Sequence, residues 1–143
     1  MIPQYQQLLK RADDDGHFEF PGGWTEQAES DLRRRFNMAV DNLRRVGIII
    51  QETTSPPAVQ DASFFGDILA TIDGSAYTIR VSNFGQLATV LSPDEKVPPP
   101  LINALTDAGF VYVPETELQE SYPVVRPGWE HIRSWWSRFF DYG

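Results

Sequence analysis

The chain contains no cysteine and two histidines, His17 and His131. Without thiols there is no disulfide, no thiolate nucleophile and no cysteine-ligated metal, and two histidines so far apart leave no zinc-ligand spacing. No apolar run approaches the about 20 residues that span a bilayer. Residues 1–10 lack the basic start and apolar run of a secretion signal. Cations are scarce over a long stretch: between Val81 and Val125 the one basic residue is Lys96. The formal net charge is -8, so nucleic-acid phosphates repel the chain on average. Together these absences lead us to expect a cytoplasmic protein of a reducing compartment. They give no reason to expect a cofactor, nucleic-acid binding or membrane association.

What is present is a globular composition. Hydrophobic residues make up 41% and aromatics 13%, with four tryptophans among 143 residues. A chain of that length buries a real core, and we expect a single α+β domain over residues 1–143. The final Gly143 follows directly on an apolar run.

Residues 2–12 read as a short helix with Ile2, Tyr5, Leu8 and Leu9 on one face, ended by Asp13-Asp14-Asp15-Gly16. Residues 17–23 form a loop. Residues 25–46 give the clearest helix. Thr25 is a good N-cap, and Glu26 and Glu29 sit where the helix dipole favours acids. Ala28, Leu32, Phe36, Ala39, Val40, Leu43 and Val46 share one stripe, and Gly47 supplies the stop. Residues 48–53 read as a strand. Asp73-Gly74 is a strong hairpin signal, flanked by arms at 63–72 and 76–82, and residues 86–91 return as a third arm. A Pro-rich connection at 92–100 leads to a short helix at 101–108, stopped by Gly109, and a short strand at 110–113. One or two helical turns follow at 115–121, and a last helix at 128–142. Helices set apart from an antiparallel sheet define α+β. The expected architecture is an antiparallel meander sheet of four to five strands, with helices packed mainly on one face.

Catalytic signals are sparse. There is no G-x-S-x-G elbow and no phosphate-binding G-x-G-x-x-G or G-x-x-x-x-G-K-[ST]. The acids at 13–15 are contiguous, whereas an EF-hand loop alternates them, so no metal site is expected. Pro21-Gly22-Gly23 reads as a loop entering a helix, with Trp24 packing down beside it. Arg33, Arg34, Arg44 and Arg45 share a helix face with Glu26, Ser30, Asn37 and Asp41, as on the solvated side of an amphipathic helix. Asp61 and Asp67 flank Phe64-Phe65-Gly66, with Arg80 placed to form a cross-hairpin ion pair. If the chain were instead a small enzyme or a ligand-binding domain with its pocket between sheet and helices, His17, Asp61, Asp67, Arg80 and Asn83 would be the residues to test.

Two features remain. The last predicted helix carries Trp129, Ile132, Trp136, Phe139 and Phe140 on one stripe, with Trp135 and Tyr142 widening its edge. That arc serves either as a buried keystone or as a surface margin where aromatic anchors suit a protein interface. The stretch 92–122 is acidic and loop-rich, and its acids serve either as solubilising surface or as a docking patch. The candidate partner-binding residues are therefore Asp94, Glu95, Tyr112, Glu115, Glu117, Glu120, Tyr122, Trp135 and Tyr142. They suggest a non-enzymatic module facing a basic, toxin-like protein partner, as a bacterial inhibitor of the immunity type would. A subunit of a homo-oligomer or secretion assembly, joined through the last helix, is the third alternative. The sequence leaves the oligomeric state open.

Overall fold

The computed structural model describes residues 3–13, 26–55, 64–83, 86–92, 96–123 and 132–140. The elements run α1 (Pro3–Ala12), α2 (Glu26–Arg45), β1 (Ile49–Thr54), β2 (Phe64–Ile72), β3 (Ser75–Ser82), β4 (Leu87–Leu91), α3 (Pro99–Asp107), β5 (Val111–Tyr112), α4 (Glu115–Leu118) and α5 (Trp135–Phe139). The expected α+β class is observed. The strands form one sheet in the order β1-β2-β3-β4-β5.

Two helices end the same way, and each ending starts a strand. At the end of α2 the Gly47 N–H bonds the Arg44 carbonyl and the Ile48 N–H bonds the Leu43 carbonyl, both at 3.0 Å. At the end of α3 the Gly109 N–H bonds the Thr106 carbonyl at 3.0 Å and the Phe110 N–H bonds the Leu105 carbonyl at 3.1 Å. Both are Schellman turns, which need a left-handed residue at the position that glycine fills. Gly47 and Gly109 adopt φ of 87° and 96°. Leu43 with Ile48, and Leu105 with Phe110, are buried in one cluster. Each turn is thus closed by apolar contact as well as by hydrogen bonds.

The meander is held by register. Asp73 and Gly74 both take positive φ, 49° and 81°, as a two-residue hairpin turn of the right twist requires. Ile68 then lies opposite Ile79, and Ala70 opposite Tyr77. Antiparallel pairing of β1 with β2 and of β3 with β4 completes four strands. At Gly66 a Cβ would collide with the carbonyl oxygen of Thr54, so glycine allows β1 to approach there.

The fifth strand departs from expectation. β5 pairs with β4 in parallel, Leu87 beside Val111 and Ala88 beside Tyr112. The sheet is therefore mixed, because α3 carries the chain back across the sheet before β5 begins.

The helices also divide between the two faces. Leu32, Phe36, Ala39, Val40 and Leu43 of α2, with Leu101, Ala104 and Leu105 of α3, pack on Ile68, Tyr77, Ile79, Val81, Ala88 and Val90. Asn42 Nδ2 donates to the Ala104 carbonyl at 3.1 Å and ties α2 to α3. A second cluster joins Leu9 of α1, Leu118 of α4, and Trp135 and Phe139 of α5 to Phe64 and Leu87 of the sheet. Adjacent strand residues point to opposite faces. Phe64 and Phe65 fall in different clusters, as do Leu87 and Ala88. A bulge between Phe64 and Gly66 adjusts the register at that point. Helices therefore pack on both faces, where the sequence suggested mainly one.

The last helix is shorter than its aromatic spacing predicts. Ser134 caps it, accepting the Ser137 N–H at 3.2 Å. Ser134 itself is extended and forms an antiparallel bridge with Ser121, so the helix begins only at Trp135. Residues 124–131 and 141–143 lie outside the described residues.

Candidate functional site

The sheet edge at β5 positions a groove. Pro98, with φ of -60° and ψ of 133°, precedes α3. Pro114, with φ of -59° and ψ of 141°, precedes α4. Each proline holds extended backbone and starts a helix at once. Between these two corners lies a groove of about 270 Å³, floored by Val90, Val97 and Pro114 and bordered by Tyr112, Glu115 and Gln119. The Ser92 hydroxyl donates to the Lys96 carbonyl at 2.9 Å and pins the rim.

The polar chemistry of the groove rests on two side chains. The Tyr112 phenol is raised above its ordinary value of 10.0, first by burial, then by Tyr5 and by the negative charge of Glu115. It stays protonated at neutral pH, able to donate or accept a hydrogen bond. Glu115 makes no ion pair or side-chain hydrogen bond among the described residues. A partly buried carboxylate that no described cation pairs suits a cation from outside.

The structure brings together part of the expected patch. Tyr112 and Glu115 meet in the groove. Glu117 is on the same four-residue helix, and Glu120 is exposed just beyond it. Asp94, Glu95 and Tyr142 lie outside the described residues.

Tyr122 and Trp135 are corrections. They are 7% and 2% exposed and pack edge to face with centroids 5.0 Å apart. Neither presents a surface margin. Non-helical residues 132–134 precede α5, so a helical wheel begun at residue 128 assigns its faces wrongly. The Tyr122 backbone N–H bonds the Arg133 carbonyl at 3.0 Å, and the Tyr122 hydroxyl donates to Asp13.

Other polar clusters are occupied. Arg80 is bonded to Asp67, as its place across the hairpin predicts, and also to the Phe140 carbonyl at 3.0 Å. Its guanidinium lies 3.9 Å from the Phe64 ring centroid. Asn83 is buried, while His17 and Asp61 lie outside the described residues, as do residues 14–25 and so Trp24 and Thr25. Arg138, fully buried, donates from Nε to Asp13 at 2.7 Å and fastens the end of α1 to α5. On α2, Arg34 pairs with Asp31 at 3.0 Å and Arg33 with Glu29 at 4.0 Å.

Known protein families, curated proteins and solved structures yield no match to this chain. Its function is therefore read from geometry alone. Among the described residues no group of three or more His, Asp or Glu is placed to hold a metal ion. No helix among them is long and apolar enough to cross a membrane.

Sequence reading missed the apolar floor and Gln119. The available signals were Pro98 and Pro114, each one residue ahead of a helix. The Arg138–Asp13 tie carried no local signal at all, since its partners stand 125 residues apart.

Proposed function

We propose that the chain is a non-enzymatic protein-binding module that presents an acidic, tyrosine-bearing surface to a basic protein. In this reading it acts in the bacterial cytoplasm as an immunity-type inhibitor of a toxin. The observation that carries the reading is Glu115, a carboxylate with no cation beside it among the described residues, set against Tyr112 in a groove. Around it, the sequence from Val81 to Val125 holds six acids and one lysine. A surface of one sign steers an oppositely charged partner into contact and penalises wrong partners.

A catalytic role draws less support. A tyrosine whose phenol holds its proton more tightly than usual is a poor base at neutral pH. Arg80 and Asp67 are spent on each other and on packing. Joining copies through the last helix draws less support from Trp135, Phe139 and Phe140, which are buried, while Trp129 and Tyr142 lie outside the described residues.

The test is affinity capture from native cells with the wild-type chain beside a Glu115→Lys/Glu117→Lys variant. Circular dichroism first confirms that both fold. The wild type is expected to retain one dominant basic protein that the variant loses. Equal retention by both, or nothing above background with either, would count against the proposal.

A further inference from the structure

We infer that the groove between Val97, Tyr112 and Glu115 receives a single arginine side chain from the basic partner. This rests on the proposed function and names what the partner inserts.

The charge of the groove selects a cation. Glu115 is the one carboxylate among the described residues that line it, and Tyr112 and Gln119 are neutral polar groups in the same lining. An anion would meet Glu115 and be repelled. A divalent metal needs several oxygen ligands, and the described residues bring no group of three or more acids or histidines together to hold one. A cationic side chain instead supplies the ion-pair partner that no described residue gives Glu115.

The shape selects a long side chain with an apolar stem. Val90, Val97 and Pro114 floor the groove, and such a floor suits methylenes that carry a charge at their end. Both arginine and lysine have that stem. Arginine fits the polar groups better, for its planar guanidinium pairs with a carboxylate, stacks on a ring and is more weakly hydrated than an ammonium. Tyr112 is half-buried, so its ring is held in place before binding and little order is lost on contact. A guanidinium that reaches Glu115 beside this ring gains charge-assisted hydrogen bonds and a cation–π contact.

The experiment is a nitrogen–proton NMR titration of the full chain with blocked peptides identical except at one position, arginine, lysine or citrulline. Citrulline keeps the shape of arginine and loses its charge. The arginine peptide should shift the amides of Val97, Tyr112 and Thr116 saturably, and bind about tenfold more tightly than the citrulline peptide. The lysine peptide should fall between them. Glu115→Gln should remove most of the arginine advantage and leave the citrulline peptide unchanged. Because Glu115 bonds to nothing else among the described residues, this variant should keep its melting temperature. Equal binding of arginine and citrulline peptides, an arginine advantage that survives Glu115→Gln, shifts centred away from the groove, or no saturable shift would each overturn the inference. If capture from cells still yields a basic partner lost on charge reversal, the proposed function stands while the arginine assignment falls.

Discussion

Arg80 holds both carboxylate oxygens of Asp67, with Nε 2.8 Å from Oδ1 and a terminal nitrogen 3.0 Å from Oδ2. The side chains are 13% and 23% exposed, so water screens the pair only in part. Its second terminal nitrogen reaches the Phe140 carbonyl, which links the hairpin to the end of α5.

Arg80→Ala should therefore cost about 3 kcal/mol, because it leaves Asp67 unpaired in a mostly buried place. Arg80→Lys should recover only part of that, since an ammonium cannot repeat the two-pronged geometry. Urea denaturation of the three proteins checks both statements. A loss below about 1 kcal/mol for Arg80→Ala would place the pair among exposed ones.

Trp135 and Trp136 should differ sharply. Trp135 is 2% exposed and lies against Tyr122 and Phe139, so Trp135→Ala should cost about 3–5 kcal/mol. Trp136 packs on the edge of the same cluster, and Trp136→Ala should cost about 1–2 kcal/mol. Thermal melts rank the two. The reverse order would restore the faces that the aromatic spacing implied.

Tyr112 should titrate above 10.0. The folded state then holds the phenolic proton more tightly than the unfolded chain does. The stability this contributes is whole below pH 10.0 and is lost as pH rises through the folded value. Stability measured against Tyr112→Phe should be level at about pH 7–9 and then fall for the wild type above pH 10.0. Glu115→Gln should lower the midpoint seen in phenolate absorbance without restoring it fully, because burial is the larger cause. An ordinary midpoint would mean that the groove is wet.

Much of the fold is legible locally. Gly47, Gly109 and Asp73-Gly74 mark turns because the backbone there needs positive φ, and each turn stands where those residues predict. The stripe on α2 is legible because one buried face repeats every turn. The direction of β5 is not, since two residues carry no sign of parallel or antiparallel pairing. Nor is the placing of Phe64 and Ile68, an even number of residues apart, in different clusters, which depends on the bulge between Phe64 and Gly66. The aromatic run at the C-terminal end misleads for a related reason: helical spacing extends back through Ile132, although residues 132–134 are not helical. In the groove, Tyr112 and Glu115 are legible as polar residues of short elements in an acidic, loop-rich stretch. Their meeting over Val90 and Val97 depends on the crossover through α3, which the sequence does not display.

In the proposed function, charge on this face does the recognising. The most direct measurement follows the captured basic protein as salt rises from about 0.1 M to about 1 M, over which the screening length falls from about 10 Å to about 3 Å. We expect release of the partner within that range, and release at lower salt still from a chain carrying Glu117→Gln and Glu120→Gln. Retention that is indifferent to salt and to those two acids would contradict the account.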